Sequence, residues 1–304
     1  MHNKLLHINS YLFLFFILIF AIALTKNKYL IKNYQRKIIL RSLEKKECPK
    51  VGLYIAYFGQ SNTINRIPSK TSFEIPDNLF QYNWKSGECF SYKEPLIGVA
   101  GMGGNSFTYA AINIANNFNE DVVIIPFGEA NSSILDWSYG YLSYKIDLVV
   151  KRLSIDKINP DFFIFHQGES DLRAKNLDPV DLLKTKPFEK TFNYKTSFGL
   201  NYRNYSSALG NIIDNLLKIY PSSYFGISLV SRCNSNSWVP VSQAQKDLAK
   251  SKQRTFIAAN SDEIYGREMR YDNCHFNENG AKEIGFQYYQ SIKKILKNKY
   301  QINN

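Results

Sequence analysis

The chain has 304 residues, of which 44% are hydrophobic and 15% aromatic, enough apolar material for a sizeable core and too much for a disordered chain. Its 38 Lys and Arg against 26 Asp and Glu leave a net charge of +12, but no basic-aromatic motif of nucleic-acid recognition accompanies it, so nucleic acid is not expected as a partner. The four histidines, His2, His7, His166 and His275, stand at no metal-ligand spacing, and neither a metal nor an organic cofactor is expected.

Residues 11–24 are an unbroken apolar or aromatic run. Counted from Leu5 the segment has twenty positions, roughly 30 Å as a helix, which just spans a bilayer. The same run, preceded by Lys4 and ending in Ala21-Ile22-Ala23, also reads as a secretory signal. The following stretch carries eight cations (Lys26, Lys28, Lys32, Arg36, Lys37, Arg41, Lys45 and Lys46) against Glu44 and Glu47, or +6 of the total, and suits anionic lipid headgroups. The expected organisation is residues 1–25 as hydrophobic anchor or signal, 26–47 as basic juxtamembrane linker and 48–304 as the main domain. Two signals disagree on its side of the membrane. The positive-inside rule keeps it cytoplasmic, whereas four cysteines, Cys48, Cys89, Cys233 and Cys274, suit an oxidising compartment. The reading adopted is extracytoplasmic, membrane-anchored or secreted. Of the three possible pairings, Cys48 with Cys89 and Cys233 with Cys274 would staple loops near the polar clusters of the chain, while four free buried thiols are the alternative.

Beyond Pro49, short apolar segments alternate with longer amphipathic ones, the pattern of βαβ units around a parallel sheet. Strands are predicted over 51–57, 121–126, 161–165, 224–230 and 255–259, and helices over 107–118, 139–153, 201–219, 242–251 and 277–297. The stretches 64–95 and 171–196 carry scattered turns and are expected as loops, whose Tyr82, Trp84, Phe188 and Tyr194 can stack on the rings of a ligand or pack the loops themselves. The fold class is α/β, a three-layer α/β/α sandwich with a central, mostly parallel sheet. Ligands of such sheets sit beyond the carboxyl ends of the strands. Ser61 follows the first strand, Ala130-Asn131-Ser132-Ser133 the second, His166 to Asp171 the third, and Asp272 to His275 lies beyond the last. All four polar clusters are therefore expected at one edge.

These residue types can do acyl chemistry. A serine hydroxyl is a weak nucleophile at neutral pH and needs a base, itself oriented by a third group. Ser61 can attack, His275 can take its proton, and Asp272 can fix the imidazole tautomer. Gly59-Gln60-Ser61-Asn62-Thr63 lacks the second glycine of the G-x-S-x-G elbow, which argues against the ordinary α/β-hydrolase arrangement. The same string also reads as a plain strand-to-helix turn capped by Ser and Asn. Glu169 and Asp171 make a poor carboxylate pair for glycoside hydrolysis, because side chains two apart in a loop have no assured common orientation.

Three blocks in order, Gly59-Gln60-Ser61-Asn62, Gln167-Gly168-Glu169-Ser170-Asp171 and Asp272-Asn273-Cys274-His275, resemble those of the SGNH hydrolases, in particular the sialate O-acetylesterase-like branch that includes acetyl-xylan-type carbohydrate esterases. The resemblance implies an SGNH or flavodoxin-like sandwich and a carbohydrate O-acetylesterase, with Ser61 as nucleophile, His275 as base and Asp272 as its orienter. Gln167 and the Ser61 N–H would then serve the oxyanion, and Glu169 would support the site. Where that family has Gly-Gly-Thr-Ser-Ile, this chain has Ala130-Asn131-Ser132-Ser133-Ile134. Ala130 can present its N–H only if the turn does not demand positive φ, and Asn131 can substitute through its side-chain amide. The expected partner is an O-acetylated carbohydrate, sialic acid or a polysaccharide. A carbohydrate O-acetyltransferase using the same triad, or a non-catalytic glycan-binding domain, is the alternative.

Overall fold

The computed structural model describes residues 31, 34, 37–39, 41–118, 120–173, 199–233 and 236–301. It comprises two compact units, Met1–Glu44 and Lys45–Asn304. In the first, residues 37–39, 41 and 42 are helical; the apolar run at 11–24 lies outside the described residues. Among the described residues no helix is long and apolar enough to cross a membrane.

The second unit is built on an eight-stranded sheet. Its strands are β1 (Lys45–Lys46), β2 (Leu53–Gly59), β3 (Leu79–Asn83), β4 (Glu88–Ser91), β5 (Val122–Pro126), β6 (Phe162–His166), β7 (Tyr224–Leu229) and β10 (Thr255–Asn260), in the order β1-β4-β3-β5-β2-β6-β7-β10. The six strands from β3 to β10 run parallel, and β4 and β1 are added antiparallel at one edge. A separate small ribbon pairs β8 (Arg232–Cys233) with β9 (Asn236–Ser237). The central β2, β5 and β6 are buried at every position, which is why they read as continuous apolar runs: helices cover both faces of a parallel sheet.

Alternation within β2 assigns the faces. Tyr54, Ala56 and Phe58 belong to one core, with residues of helices α2 (Ile134–Ser138), α3 (Tyr141–Ile155), α4 (Tyr202–Ile219) and α5 (Val239–Ser251). Leu53, Ile55 and Tyr57 belong to the other, with α1 (Thr108–Asn117) and α6 (Glu278–Gln301). The result is the expected three-layer α/β/α sandwich with a central, mostly parallel sheet.

Three expectations are corrected. The stretch 64–95 is not all loop but contains the β3–β4 hairpin. Its Tyr82 and Trp84 are 0% and 8% exposed and belong to the core, so neither is available as a sugar platform. The predicted helix over 139–153 is preceded by a separate helix, α2, opened by a capping box in which the Ser133 side chain accepts from the Leu135 N–H and Asp136 answers the Ser133 N–H. Phe188 and Tyr194 lie outside the described residues.

Candidate active site

The turn that carries Ser61 depends on a close approach that only glycine permits. Gly59 ends β2 at φ +135, and a Cβ there would lie 2.0 Å from the His166 carbonyl oxygen. The chain therefore leaves the sheet tightly against β6 and enters a single 3-10 turn at Ser61–Thr63. Ser61 is 3% exposed. Its N–H, like that of Ala130, donates to no protein acceptor among the described residues.

Ser61 Oγ stands 2.9 Å from His275 Nε2, and His275 Nδ1 stands 2.6 Å from Asp272 Oδ2. The second carboxylate oxygen, Oδ1, accepts the backbone N–H groups of His275 at 2.7 Å and Cys274 at 3.1 Å. Burial pushes the Asp272 carboxyl up, but these hydrogen bonds and the facing imidazole outweigh it, and the net shift is downward. Asp272 is thus ionised at neutral pH, the form in which it holds the Nδ1 proton of His275.

The histidine loop is fastened from several sides. Tyr271 stacks on the imidazole with ring centres 5.8 Å apart and planes at 20°. Cys274 is disulfide-bonded to Cys233, and Cys48 to Cys89, one of the three pairings open from sequence. Arg270 is 1% exposed. It donates to the carbonyls of Ile264 (2.5 Å), Ser261 (2.7 Å) and Cys274, and lies over the Phe276 ring at 4.4 Å.

Asn62 ties that loop to the Gln-Gly-Glu block. Its Nδ2 donates to Glu169 Oε1 at 2.8 Å and to the Cys274 carbonyl at 3.3 Å, while its Oδ1 accepts the Phe276 N–H at 3.2 Å. The residues on either side of His275 therefore hang from one side chain. Burial pushes Glu169 up, yet His166, the residue's own N–H and Asn62 together bring it below the usual carboxylate range, so a buried negative charge faces Asn62. His166 is itself fully buried between Glu169, at 3.4 Å from Nε2, and Tyr288 Oη, at 2.7 Å from Nδ1.

Gln167 departs from its expected use. Its Nε2 donates to Asp171 Oδ2 at 2.5 Å and to the Ser132 carbonyl at 3.1 Å, so both amide protons have acceptors inside the protein. The side chain ties the third cluster to the second. Gln60 Oε1 accepts the N–H groups of Gly168 at 3.2 Å and Ser170 at 3.1 Å, and Gln245 Nε2 donates to the Gln167 carbonyl at 2.9 Å. All four polar clusters of the sequence are thus joined at the carboxyl edge of the sheet.

The turn that departs from the family pattern places its left-handed residue one position later than the alanine. Asn131 has φ 51, whereas Ala130 is not in that region, so Ala130 is not strained. The Glu129 N–H donates to the Gly59 carbonyl at 2.8 Å, setting Ala130 beside the Ser61 turn. Asn131 is exposed.

Asp171 gives a pH-dependent stability. Burial is the dominant influence on its carboxyl and pushes it from 3.8 to about 7, against the pull of donors Ser133, Gln167 and the Ile134 N–H. A carboxyl raised in the folded state contributes stability that is complete below its unfolded value and is lost as pH rises through about 7. Denaturant unfolding at successive pH values should show Asp171→Asn flattening the wild-type decline between about pH 4 and 7, a difference on the order of a few kcal/mol. Parallel curves for the two proteins would remove Asp171 as the cause.

Glu169 and Gln167 are thus legible in the sequence as positions, but their contacts are not. Asn62, Gln60, Gln245 and Arg270 also carry the site's hydrogen bonds, and the sequence reading assigns none of them a role in the chemistry. For Asn62 and Gln60 the signal is present in the Gly-Gln-Ser-Asn string itself. For Arg270 none exists, because nothing in its neighbourhood marks one arginine as buried.

Neither a protein-family model nor a curated protein matches the sequence. Solved structures do share its fold. A protein of Arabidopsis thaliana aligns at 16% identity over 79% of this chain and 98% of its own, with a TM-score of 0.56. A carbohydrate acetylesterase from Xanthomonas citri aligns at 12% identity over 79% of this chain and 55% of its own, with a TM-score of 0.52. At such identities the likeness is one of architecture: this chain has the fold in which those proteins are built.

Proposed function

We propose that this protein is a serine esterase that removes O-acetyl groups from a carbohydrate through an acyl-enzyme intermediate. The observation that carries the reading is the Ser61–His275–Asp272 relay, with its 2.9 Å and 2.6 Å contacts, at the edge of the sheet where ligands of such folds bind. Ser61 Oγ attacks the acetyl carbonyl as His275 Nε2 takes its proton. The oxyanion is met by the backbone N–H groups of Ser61 and Ala130, each such donor supplying about 3 kcal/mol in related chemistry. Gln167 holds Asp171 and Ser132 rather than the oxyanion, and Glu169 acts through Asn62 rather than on the substrate. His275 then gives that proton to the sugar oxygen as its bond to the acetyl carbon breaks, and the sugar leaves as an alcohol. His275 next activates the water that releases acetate.

The carbohydrate assignment draws on the sequence blocks and on the architecture shared with an acetylesterase. A membrane-tethered, extracytoplasmic setting is part of the proposal: the apolar run at 11–24 and the basic stretch after it suit a tether, and two disulfides suit an oxidising compartment.

Incubation of the protein with O-acetylated oligosaccharides is expected to release acetate, with the glycan losing acetyl mass. A fluorophosphonate should label the protein once, on the peptide containing Ser61, because only an activated serine reacts. Label on another residue, or intact acetylated glycan after exhaustive incubation, would reject the assignment.

A further inference from the structure

Arg66 lies beside the relay but takes no part in proton transfer. It is exposed, yet it is not carried on a loose loop. The Asn65 N–H donates to the Ala100 carbonyl at 2.9 Å, and the Asn65 carbonyl accepts from Gly103 at 3.1 Å. The Asn65 side chain donates to the Leu96 carbonyl at 2.8 Å and accepts the Leu96 N–H at 2.9 Å. Ile67 exchanges both of its backbone hydrogen bonds with Gly104, at 3.1 and 2.9 Å, and the Arg66 N–H itself donates to the Ile64 carbonyl at 2.8 Å. Asn65 and Ile67 are 2% and 3% exposed. A single exposed cation therefore rises from a backbone fixed on both sides.

Its guanidinium has one anchor. Arg66 Nε donates to Tyr271 Oη at 3.2 Å, and the Tyr271 ring is the one stacked on His275. The Tyr271 N–H closes the arrangement by donating to the His275 carbonyl at 3.1 Å. The guanidinium thus stands two side chains from the serine, in the series Arg66, Tyr271, His275, Ser61. Among the described residues no carboxylate pairs with Arg66, and its two Nη groups donate to no protein acceptor. Asp272, the nearest acid in sequence to Tyr271, is committed to His275. A guanidinium anchored through Nε, whose terminal nitrogens meet no acceptor among the described residues, presents a fork for two oxygens of one anionic group.

We infer that Arg66 forms a subsite for an acidic substituent of the substrate, so that the preferred substrate is an O-acetylated glycan bearing a carboxylate or phosphate next to the acetylated sugar. This rests on the esterase reading. It goes further in naming the charge of the substrate and the residue that selects it. An anion held there lies beside the imidazole's stacking partner rather than on the reacting atoms, so Arg66 selects and positions the substrate. The attraction is partly solvent-exposed, and it should weaken with salt.

The test compares kcat/KM of the full-length protein on four esters: O-acetylated oligogalacturonate, an O-acetylated glycerol-phosphate oligomer, O-acetylated xylo-oligosaccharide, and p-nitrophenyl acetate. The wild type should favour one of the two anionic glycans over the neutral one, and which of them it favours decides between carboxylate and phosphate. Arg66→Gln should lower the ratio of anionic to neutral kcat/KM by about tenfold to a hundredfold, chiefly through KM, the range expected for charge-assisted hydrogen bonds. Arg66→Lys should restore part of that ratio, and added salt should lower it in the wild type. Equal turnover of anionic and neutral glycans by the wild type, or a ratio unchanged in Arg66→Gln, would overturn the subsite while leaving the esterase standing. Absence of turnover on every substrate, p-nitrophenyl acetate included, would remove the esterase and the subsite together.

Discussion

The Ser61→Ala variant is expected to lose about a millionfold in kcat on acetyl esters, the scale on which a serine nucleophile and its base act as a unit. Asp272→Asn should cost about ten thousandfold, and this second variant is the more discriminating. Asp272 does two things with two oxygens: Oδ1 caps the turn by accepting the N–H groups of Cys274 and His275, and Oδ2 faces His275 Nδ1. Asparagine keeps an acceptor for the turn but turns an NH2 toward the imidazole. That forces Nδ1 to accept and puts the remaining ring proton on Nε2, against Ser61 Oγ, where a base is needed. The turn should survive and the tautomer should be wrong. Steady-state kinetics beside thermal unfolding read the two apart. An Asp272→Asn enzyme that keeps a tenth of its activity would mean that something other than this carboxylate sets the imidazole.

How much of the molecule is legible in its sequence follows from what each residue has to do alone. Of the five parallel strands other than β3, four are central or nearly so and β10 closes one edge, and their apolar runs announce them. Their ends slide by one or two residues, because Phe58 and Gly59 continue β2 into the polar block that looks like its boundary. The β3–β4 hairpin is hidden because its strand carries Gln81 and Asn83 among the aromatics. Gln81 is nonetheless 0% exposed, its amide spent on the carbonyls of Ser91 and Lys93 and its oxygen on the Ile97 N–H. A buried polar residue satisfied by backbone from elsewhere in the chain leaves no local trace. In the site, Ser61, Asp272 and His275 can be named because their chemistry dictates their type. The direction in which Gln167 spends its amide cannot, since the competing acceptors, Asp171 Oδ2 and the Ser132 carbonyl, converge only in the folded chain. Ala130 is a smaller case of the same kind: whether alanine is tolerated depends on which residue of the turn takes positive φ, and that residue is Asn131.

Asn62→Ala should do more damage than a residue outside the relay ordinarily does, and in two separable ways. The truncation leaves the Glu169 carboxylate, whose Oε2 already has no hydrogen-bond partner, with only the longer contact to His166 among its side-chain partners. It also strips the Phe276 N–H of its acceptor. Losing a neutral donor to a buried carboxylate costs about 1.5 to 3 kcal/mol, which denaturant unfolding should register. The kinetic effect has a different origin. Cys274 and Phe276 flank His275, so losing Asn62 removes one tether on each side of the imidazole, leaving the disulfide and Arg270, and lets the 2.9 Å contact to Ser61 lengthen; a misplacement near 1 Å costs about a hundredfold in rate. Adding Glu169→Gln to Asn62→Ala separates the two. Neutralising the carboxylate removes the buried charge and should return part of the lost stability, but it supplies neither the acceptor for Phe276 nor the donor for Cys274, and kcat should stay low. Recovery of both together would make the charge, and not the tether, the reason the histidine sits where it does.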